Sequence, residues 1–298
     1  MIAALPTARL AQDVGPVAGV DVVVWDGSGD PPPGVRFWVP DYATAAEVVD
    51  RAGDLPDLEI VQLQTAGYDG IPGLLPAGVT LCNGRGIHDD ATAEHAVGLA
   101  LAVLRGVPEA VRAHGRWTDL SGRRSLADSR VLVLGYGAIG RAVAERLLAM
   151  RARVTAVASR ERDDDLVGRV HSLDALPSLL PDQHVVVVLV PLSEETRGLV
   201  GESFLAALPD GAVVVNVARG AVLDTDAALR HAGRLRFALD VTDPEPLPDG
   251  HPLWSAPEVL VTPHVAGGTT AMAPRAAALV RAQLERFVAG EPLANVVG

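Results

Sequence analysis

Short apolar runs alternate with glycine-, proline- and aspartate-containing segments over most of the chain. The runs are nearly continuous in Val, Leu and Ala, which is typical of strands in parallel sheets covered on both faces. This pattern predicts strands at residues 20–25, 35–39, 59–64, 79–83, 131–134, 153–158, 184–190, 212–217, 236–241 and 259–262.

Helical periodicity fills several of the gaps between these runs. It predicts helices at residues 44–51, 91–104 and 274–289, the second of which Asp90 or Thr92 is placed to cap. The last helix has an apolar side, formed by Leu279, Val280, Leu284, Phe287 and Val288. The alternation of strands and helices predicts an α/β protein, and we expect the last helix to return the chain to the first of two domains.

Composition and charge exclude several classes of protein. The length of 298 residues, with 49% hydrophobic and 21% charged residues, fits two globular domains. The apolar runs are too short to cross a bilayer and the first residues lack the basic part of a secretory signal, so we expect a cytoplasmic protein. The single cysteine, Cys82, is expected to be a small buried residue. A net charge of −12 argues against nucleic acid as a partner, and the 25 basic residues are all arginine, which excludes lysine-dependent chemistry.

A glycine motif lies near the middle of the chain. Gly135-Tyr136-Gly137-Ala138-Ile139-Gly140 follows the run 131–134 and precedes a helical pattern that ends near Met150. In this context Gly135 permits a tight turn, Gly137 lets the backbone approach a pyrophosphate, and Gly140 lets helix and strand pack closely. The helix N-terminus then presents unpaired N–H groups to phosphates. A glycine-rich turn alone is weak support, but between a strand and a helix it predicts a dinucleotide site.

Three polar residues follow predicted strands of the second half. Arg219 comes after residues 212–217, Glu245 after 236–241 and His264 after 259–262. Ligands of open α/β sheets bind at the carboxyl ends of the strands, so we expect the three side chains at one edge. Each alone has an ordinary explanation as an ion pair, a loop residue or a locally bonded histidine. Together they suit one reaction.

That reaction is hydride transfer between a nicotinamide and a 2-keto or 2-hydroxy acid. A guanidinium binds the substrate carboxylate and polarises the carbonyl oxygen where negative charge develops. A histidine supplies the proton as the alcohol forms and removes it in reverse, and a carboxylate behind the imidazole orients it. No metal is needed, and the sequence has no convincing set of metal ligands.

The chain resembles the D-isomer-specific 2-hydroxyacid dehydrogenases over nearly its whole length. Besides the glycine motif, the residues that carry the resemblance are Ala93-Glu94-His95, Val190-Pro191-Leu192, Glu195-Thr196, Asn216-Val217-Ala218-Arg219-Gly220, Asp240, Glu245-Pro246, His251-Pro252-Leu253-Trp254 and Thr262-Pro263-His264. The resemblance implies two Rossmann-like domains. These are a flavodoxin-like, discontinuous substrate domain at residues 1–92 and 268–298, and a doubly wound NAD(P)-binding domain at residues 93–267. It also implies a homodimer joined through the coenzyme domains, with residues 114–117 near the contact.

The resemblance implies roles for single residues. Arg219 binds the substrate, His264 is the acid–base and Glu245 is its partner. Asp240 contacts the nicotinamide carboxamide, and the loop at residues 65–69 binds the substrate carboxylate through backbone amides, with Ala66 and Gly67 as the substrate-binding residues. The predicted cofactor-binding residues, those of the ribose end included, are Gly135, Tyr136, Gly137, Ala138, Ile139, Gly140, Ser159, Arg160, Arg162, Val190, Pro191, Thr196, Val217, Ala218, Arg219, Asp240, His264 and Gly267.

Two positions separate the chain from related branches. The formate dehydrogenase branch has glutamine in place of Glu245, which argues against formate as the substrate. Phosphoglycerate-type members have basic residues after the second strand of the substrate domain, where this chain has Val39-Pro40-Asp41-Tyr42. We therefore expect a small 2-keto acid of the glyoxylate or hydroxypyruvate type, bound in a cleft between domains that close over it.

The ribose end of the predicted cofactor site departs from NAD-dependent enzymes. Those enzymes place Asp or Glu about 20 residues past the glycine motif, at the end of the second strand. This chain has Ser159-Arg160-Glu161-Arg162 there. Ser159 can donate to a 2′-phosphate, and Arg160 and Arg162 can pair with it or stack on adenine, so NADP(H) is the expected preference, with NAD(H) possible. In the alternative, the two arginines pair with Glu161 and the acids at residues 163–165, and the chain uses both cofactors.

Two other functions stay open on sequence alone. Some proteins of this fold are nucleotide-sensing corepressors that keep the same three residues; the compact ends and the lack of basic extensions argue against this function here. The phosphite dehydrogenase branch also resembles the family and keeps Arg, Glu and His. Reduction of a 2-keto acid is the reverse of the oxidation of a CH–OH donor. Turnover of such an acid would separate the expected function from both the corepressor and the phosphite dehydrogenase.

Overall fold

The computed structural model describes residues 1–297 and divides into two compact units. The first unit comprises Met1–His88 and the segment that begins at Gly268, and the second is Asp89–Gly267. Among the described residues, no helix is long and apolar enough to cross a membrane.

The predicted strands coincide with observed strands, with ends that agree within two residues. The strands are β1 Ile2–Leu5, β2 Asp21–Val24, β3 Val35–Trp38, β4 Ile60–Gln62, β5 Thr80–Cys82, β6 Arg130–Leu134, β7 Arg153–Val157, β8 Arg162–Asp164, β9 Gly168–His171, β10 Val185–Val188, β11 Val213–Asn216, β12 Arg236–Leu239 and β13 Val259–Val261. The α-helices are α1 Ala8–Val14, α2 Ala45–Val48, α3 Asp89–Leu104, α4 Val107–Arg112, α5 Ala138–Ala149, α6 Leu176–Leu179, α7 Glu202–Ala207, α8 Thr225–His231 and α9 Met272–Ala289. Short 3-10 helices lie at Val49–Asp54, Pro72–Leu74, Leu173–Ala175, Leu180–Asp182, Gly220–Val222 and Pro252–Trp254.

The first unit is built on a parallel sheet in the order β2-β1-β3-β4-β5. This is the flavodoxin-like strand order, as predicted. Helix α9 packs in this unit, where Val280 and Leu284 are buried with Phe37 of β3. The buried amide of Gln283 donates to Oε1 of Gln62 at 2.8 Å, so the last helix is tied to β4 by a polar contact as well.

The second unit is built on a sheet in the order β13-β12-β11-β10-β6-β7-β9-β8. All neighbouring strands are parallel except β8 and β9. The strands β10 and β11 are fully buried, as their runs of valine predict. Helices α3 and α5 share one hydrophobic cluster, in which small residues such as Ala96, Ala100 and Ala144 allow close approach. The doubly wound architecture is therefore confirmed.

Several features of the fold differ from the sequence prediction. The predicted helix 44–51 is α-helical only at Ala45–Val48 and continues as a 3-10 helix, and helices α1, α4, α6, α7 and α8 were not predicted. Strand β1 was not predicted, because its four residues lie at the start of the chain with no preceding turn signal. The β8–β9 hairpin was not predicted either, since β8 consists of exposed or half-buried charged residues. Helix α3 begins at Asp89, so Asp90 and Thr92 lie inside the helix and the predicted capping is wrong. Acidic side chains in the first turn stabilise this longer start.

Candidate active site

The glycine motif forms the turn between β6 and α5. Gly135 has a φ of +108°, and a Cβ there would lie 2.5 Å from the carbonyl carbon of Leu189. A Cβ at Gly140 would lie 2.1 Å from the carbonyl oxygen of Gly135, whereas one at Gly137 would meet no described atom within 4 Å. Two of the glycines are thus needed by the fold, and the third borders open space at the helix N-terminus. Such a terminus favours a phosphate, and Ala138 and Ile139 form its first turn.

Tyr136 turns its side chain inward. Its hydroxyl donates to Oδ1 of Asp164 at 2.9 Å. Burial, together with this carboxylate, raises the pKa of Tyr136 to about 12. The same hairpin is held by Arg141, whose guanidinium lies 3.1 Å from Asp164 and 2.9 Å from Asp165. The phenol of Tyr136 is therefore a structural link to the hairpin, which leaves its backbone as the part predicted to contact a cofactor.

The two arginines of the predicted ribose end, Arg160 and Arg162, have different surroundings. The guanidinium of Arg162 donates to the carbonyl oxygen of Tyr136 at 2.8 Å and lies 5.7 Å from the centre of the Tyr136 ring. Arg160 and Ser159 are exposed beyond the end of β7. Arg162 therefore fastens the glycine turn, and Arg160 is the arginine whose side chain is available to a ligand.

The acids near the ribose end are paired with other arginines. Arg169 lies 2.8 Å from both Glu161 and Asp163. Within residues 1–297 neither Arg160 nor Arg162 has a carboxylate within 4.0 Å. The alternative pairing, in which these acids neutralise Arg160 and Arg162, is therefore not what the structure has.

Val190, Pro191 and Thr196 lie in the turn after β10. Val190 and Thr196 are buried. The hydroxyl of Thr196 donates to the carbonyl oxygen of Pro191 at 2.6 Å and accepts from the backbone N–H of Ser193 at 2.8 Å. Thr196 thus closes this turn. The turn begins at Leu189 and Val190, whose backbone packs against Gly135.

Arg219 is presented by a loop that Asn216 organises. The buried Asn216 side chain accepts from the N–H of Ala218 at 3.1 Å and donates to the carbonyl oxygen of Arg219 at 3.0 Å. Val217 and Ala218 are buried in this loop, while Arg219 is half-buried. A Cβ at Gly220 would lie 1.8 Å from the carbonyl oxygen of Thr242, so the loop can close only with glycine there. Asn216 was part of the recognised motif, but its structural role was not predicted.

Asp240 is a buried carboxylate that fixes the segment after β13. Its Oδ1 accepts from the hydroxyl of Thr262 at 2.6 Å and from the N–H of Val265 at 3.0 Å, and Oδ2 accepts from the N–H of Ala266 at 2.9 Å. His95 of α3 adds a contact, with Nε2 3.0 Å from the Thr262 hydroxyl and 3.2 Å from Asp240. The role of His95 was missed, although a histidine in the Ala-Glu-His motif was a usable signal.

His264 and Glu245 form a hydrogen bond between Nδ1 of the imidazole and a carboxylate oxygen. Both side chains are partly accessible, with 50% and 38% of their surface exposed. The backbone of His264 has a φ of +50°, and its N–H donates to the carbonyl oxygen of Asp240 at 2.7 Å. The buried Asp240 thus holds the backbone of the residue that carries the imidazole.

The sheet order places the three predicted catalytic residues along one edge. Arg219 follows β11, Glu245 follows β12 and His264 follows β13. These three strands are adjacent and parallel, so their carboxyl ends lie side by side. A cation, a carboxylate and an imidazole next to a dinucleotide-type turn are the groups that carbonyl reduction needs. Gly267, three residues after His264, is the last residue of the second unit.

Ala66 and Gly67 belong to the first unit. They are half-buried in the loop after β4, next to the segment that follows β5.

Cys82 of β5 is buried, as predicted, and burial raises the pKa of its thiol to about 11. No group of three His, Cys, Asp or Glu side chains with metal-binding geometry occurs in the described part of the chain.

The chain is similar to proteins of one known family. The family model described as "D-isomer specific 2-hydroxyacid dehydrogenase, NAD binding domain" matches residues 97–266. A glyoxylate reductase of Thermofilum pendens is 33% identical over 261 residues, which cover 83% of this chain and 76% of that protein.

Two solved structures extend the likeness to the whole chain. A D-isomer specific 2-hydroxyacid dehydrogenase of Xanthobacter autotrophicus Py2, in complex with NADPH and MES, is 33% identical, covers 100% of this chain and 97% of that chain, and has a TM-score of 0.82. An NADPH-dependent glyoxylate/hydroxypyruvate reductase of Sinorhizobium meliloti, in complex with NADP and sulfate, is 26% identical. It covers 99% of this chain and 97% of that chain, with a TM-score of 0.83.

Proposed function

Because the chain belongs to the D-isomer-specific 2-hydroxyacid dehydrogenases, an oxidoreductase family that uses a nicotinamide cofactor, we propose that it transfers a hydride between NADP(H) and a small 2-keto or D-2-hydroxy acid. The substrate class is that of glyoxylate and hydroxypyruvate, which relatives are named for. The observation that carries the proposal is the hydrogen-bonded pair of His264 and Glu245 beside the strand that leads to Arg219.

The second unit has the features that a dinucleotide requires. The open space at Gly137 and the N-terminus of α5 fit a pyrophosphate, and Gly135 and Gly140 keep the turn tight enough to expose that terminus. The turns after β10 and β11 and the segment after β13 complete the proposed cofactor contacts. When bound there, the nicotinamide supplies or accepts the hydride.

Side chains of the second unit and backbone amides of the first unit share the remaining chemistry. Since Nδ1 of His264 is engaged by Glu245, Nε2 is the nitrogen that gives a proton to the carbonyl oxygen during reduction. The Glu245 carboxylate orients the imidazole. The Arg219 guanidinium stabilises negative charge on the substrate, and backbone amides at Ala66 and Gly67 bind its carboxylate.

The preference for NADP(H) rests on Ser159 and Arg160. Both are exposed after β7, and the acids that would otherwise repel a phosphate are paired with Arg169 and Arg141. An arginine without a carboxylate partner beside a serine hydroxyl favours a 2′-phosphate over a free ribose hydroxyl. Arg162 contributes indirectly, because it fixes the carbonyl of Tyr136.

We also propose that the protein is a homodimer joined through its second units. Trp117 is fully exposed, and Val111 of the nearby α4 is 70% exposed. These two exposed apolar side chains are the proposed contact between the second units. Light scattering after size exclusion would measure the mass, and a Trp117→Glu variant that elutes as a monomer would support this contact, whereas an unchanged mass would exclude it.

The reaction is tested by following oxidation of NADPH and, separately, of NADH with glyoxylate, hydroxypyruvate, pyruvate and phenylpyruvate. Turnover of one of these acids, faster with NADPH, is the expected result. Activity only with phosphite and an oxidised cofactor would replace the substrate class. Tight cofactor binding without turnover of any acid would instead favour a nucleotide-sensing function.

A further inference from the structure

The loop after β4 has an unusual set of backbone contacts. Four consecutive carbonyl oxygens, those of residues 64–67, each accept a hydrogen bond. Nε2 of His88 donates to Gln64 at 2.9 Å, and the hydroxyl of Thr65 donates to Gly67 at 2.7 Å. The two central carbonyls, of Thr65 and Ala66, accept from the N–H of Gly84 at 2.7 Å and from Nδ2 of Asn83 at 2.9 Å.

These contacts determine where the amides of the loop point. In a trans peptide the C=O and N–H groups point in opposite directions, and the peptides of this loop are trans. With the carbonyls of Thr65 and Ala66 held by Asn83 and Gly84, the N–H groups of Ala66 and Gly67 are directed to the opposite side. Among the residues that the structure describes, these two N–H groups donate to no acceptor. Consecutive free N–H groups of this kind form a concave anion site.

Asn83 is itself held in a fixed orientation. Its N–H donates to the carbonyl oxygen of Asn295 at 3.0 Å, and its Oδ1 accepts from the N–H of Arg85 at 3.2 Å. Gly84 completes the arrangement, because a Cβ there would lie 2.5 Å from the carbonyl oxygen of Gln64. A side chain at position 84 would therefore push the segment away from the loop and break both central contacts.

We infer that Asn83 is a positioning residue for the substrate carboxylate, because its side-chain N–H group and the neighbouring Gly84 aim the amides of Ala66 and Gly67 at that group. The inference rests on the proposed function, in which these amides bind the carboxylate. Asn83 does not touch the substrate in this arrangement. Its effect is on the affinity for a carboxylate-bearing ligand and not on the transfer of the hydride or the proton.

The test replaces Asn83 by Asp, which has the same shape but no N–H donor. We expect the KM for the 2-keto acid to rise about tenfold or more, since amides that bind a charged group contribute strongly. We expect kcat and the Kd for NADPH to stay within about twofold, because neither depends on an anion contact in the first unit. Asn83→Ala has the same expected outcome without a new charge, should the aspartate variant fold poorly.

Asn295→Asp is the matched control. The amide of Asn295 also donates to a backbone carbonyl of the same segment, that of Arg85, at 2.8 Å. An unchanged KM in this variant, beside a raised KM in Asn83→Asp, supports the inference. Equal effects of the two substitutions, an Asn83→Asp KM within about twofold of wild type, or a parallel loss of kcat and cofactor affinity would overturn it.

Oxalate binding separates this inference from the proposed function. Calorimetry with oxalate, a two-carbon dicarboxylate that does not react, reports the anion site without turnover. If the wild-type protein reduced no 2-keto acid, the proposed function would fail, but weaker oxalate binding in Asn83→Asp would still support the positioning role. Oxalate affinity that is equal in the wild type and the variant would overturn that role, whatever the activity.

Discussion

His264 and Glu245 are hydrogen-bonded through Nδ1 of the imidazole, although they follow two different strands, β13 and β12. The bond occupies Nδ1, which leaves Nε2 as the ring nitrogen for the proposed contact with a substrate, and the backbone hydrogen bond from His264 to Asp240 fixes the segment that carries the ring. The proposed acid–base role of His264 therefore depends on three residues, of which Asp240 is buried.

His264→Ala should lower kcat by about 10²- to 10⁴-fold, the range typical of general acid–base catalysis. The Kd for NADPH, measured by fluorescence titration, should remain near the wild-type value. His231→Ala is a suitable control, since His231 also pairs with a glutamate, Glu202, at 2.8 Å but lies in α8. Wild-type turnover in His264→Ala would remove this residue as the acid–base.

The two arginines of the ribose end should respond differently to alanine. Arg160→Ala should weaken NADPH binding by about tenfold or more and leave NADH binding nearly unchanged, because the proposed partner of its charge is the 2′-phosphate, which NADH lacks. Arg162→Ala should weaken both cofactors, because Arg162 holds the carbonyl of Tyr136 in the glycine turn. Arg153→Ala, at the opposite end of β7, serves as the control for a lost positive charge. The same loss for NADH and NADPH in Arg160→Ala would contradict the phosphate assignment.

Two glycines of the motif should separate stability from cofactor binding. Gly137→Ala adds a methyl group to open space, so the melting temperature should barely change while the Kd values for both cofactors rise. Gly140→Ala forces a Cβ against the Gly135 carbonyl and should destabilise the fold by about 1–3 kcal/mol. Calorimetric melting and cofactor titration of the two variants test this. A Gly137→Ala protein with wild-type affinities would place the pyrophosphate elsewhere.

Tyr136 should titrate later than an ordinary tyrosine. Burial raises its pKa from 10.0 to about 12, so the folded chain favours the neutral phenol. The stability from this contact is therefore complete below about pH 10 and is lost as the pH rises from 10 through 12. Absorbance of tyrosinate against pH should show a late phase that is missing in Tyr136→Phe and kept in Tyr68→Phe. A late phase that persists in Tyr136→Phe would contradict the assignment.

Most of the sheet architecture could be predicted from the sequence, because each buried parallel strand corresponds to an uninterrupted run of apolar residues. The valines of β10 and the glycine motif after β6 are local signals of this kind. The β8–β9 hairpin could not be predicted in the same way, since its stability comes from Asp164 contacts to Tyr136 and Arg141, which lie elsewhere in the chain.

The residues of the candidate site could be predicted from the sequence, but the roles of the buried polar residues that hold them in place could not. Arg219, Glu245 and His264 were recognisable because each follows a strand. The roles of the buried polar groups that support Arg219 and His264 were not predicted. Asn216 acts through its own loop, on backbone atoms two and three residues further on, a contact that residue types alone do not show. Asp240 binds backbone N–H groups about 25 residues away, which spacing along the chain does not reveal. The same holds for Asn83, whose partner Ala66 is known only from the fold.

The return of helix α9 to the first unit has a consequence for biosynthesis. Its buried residues Val280, Gln283 and Leu284 complete the hydrophobic and polar core around β3 and β4, which are made some two hundred residues earlier. The continuous second unit can acquire its structure while the ribosome is still translating, but the first unit has to wait for the final helix. Nascent chains that stop before Met272 should therefore expose the sheet of the first unit to chaperones and proteases.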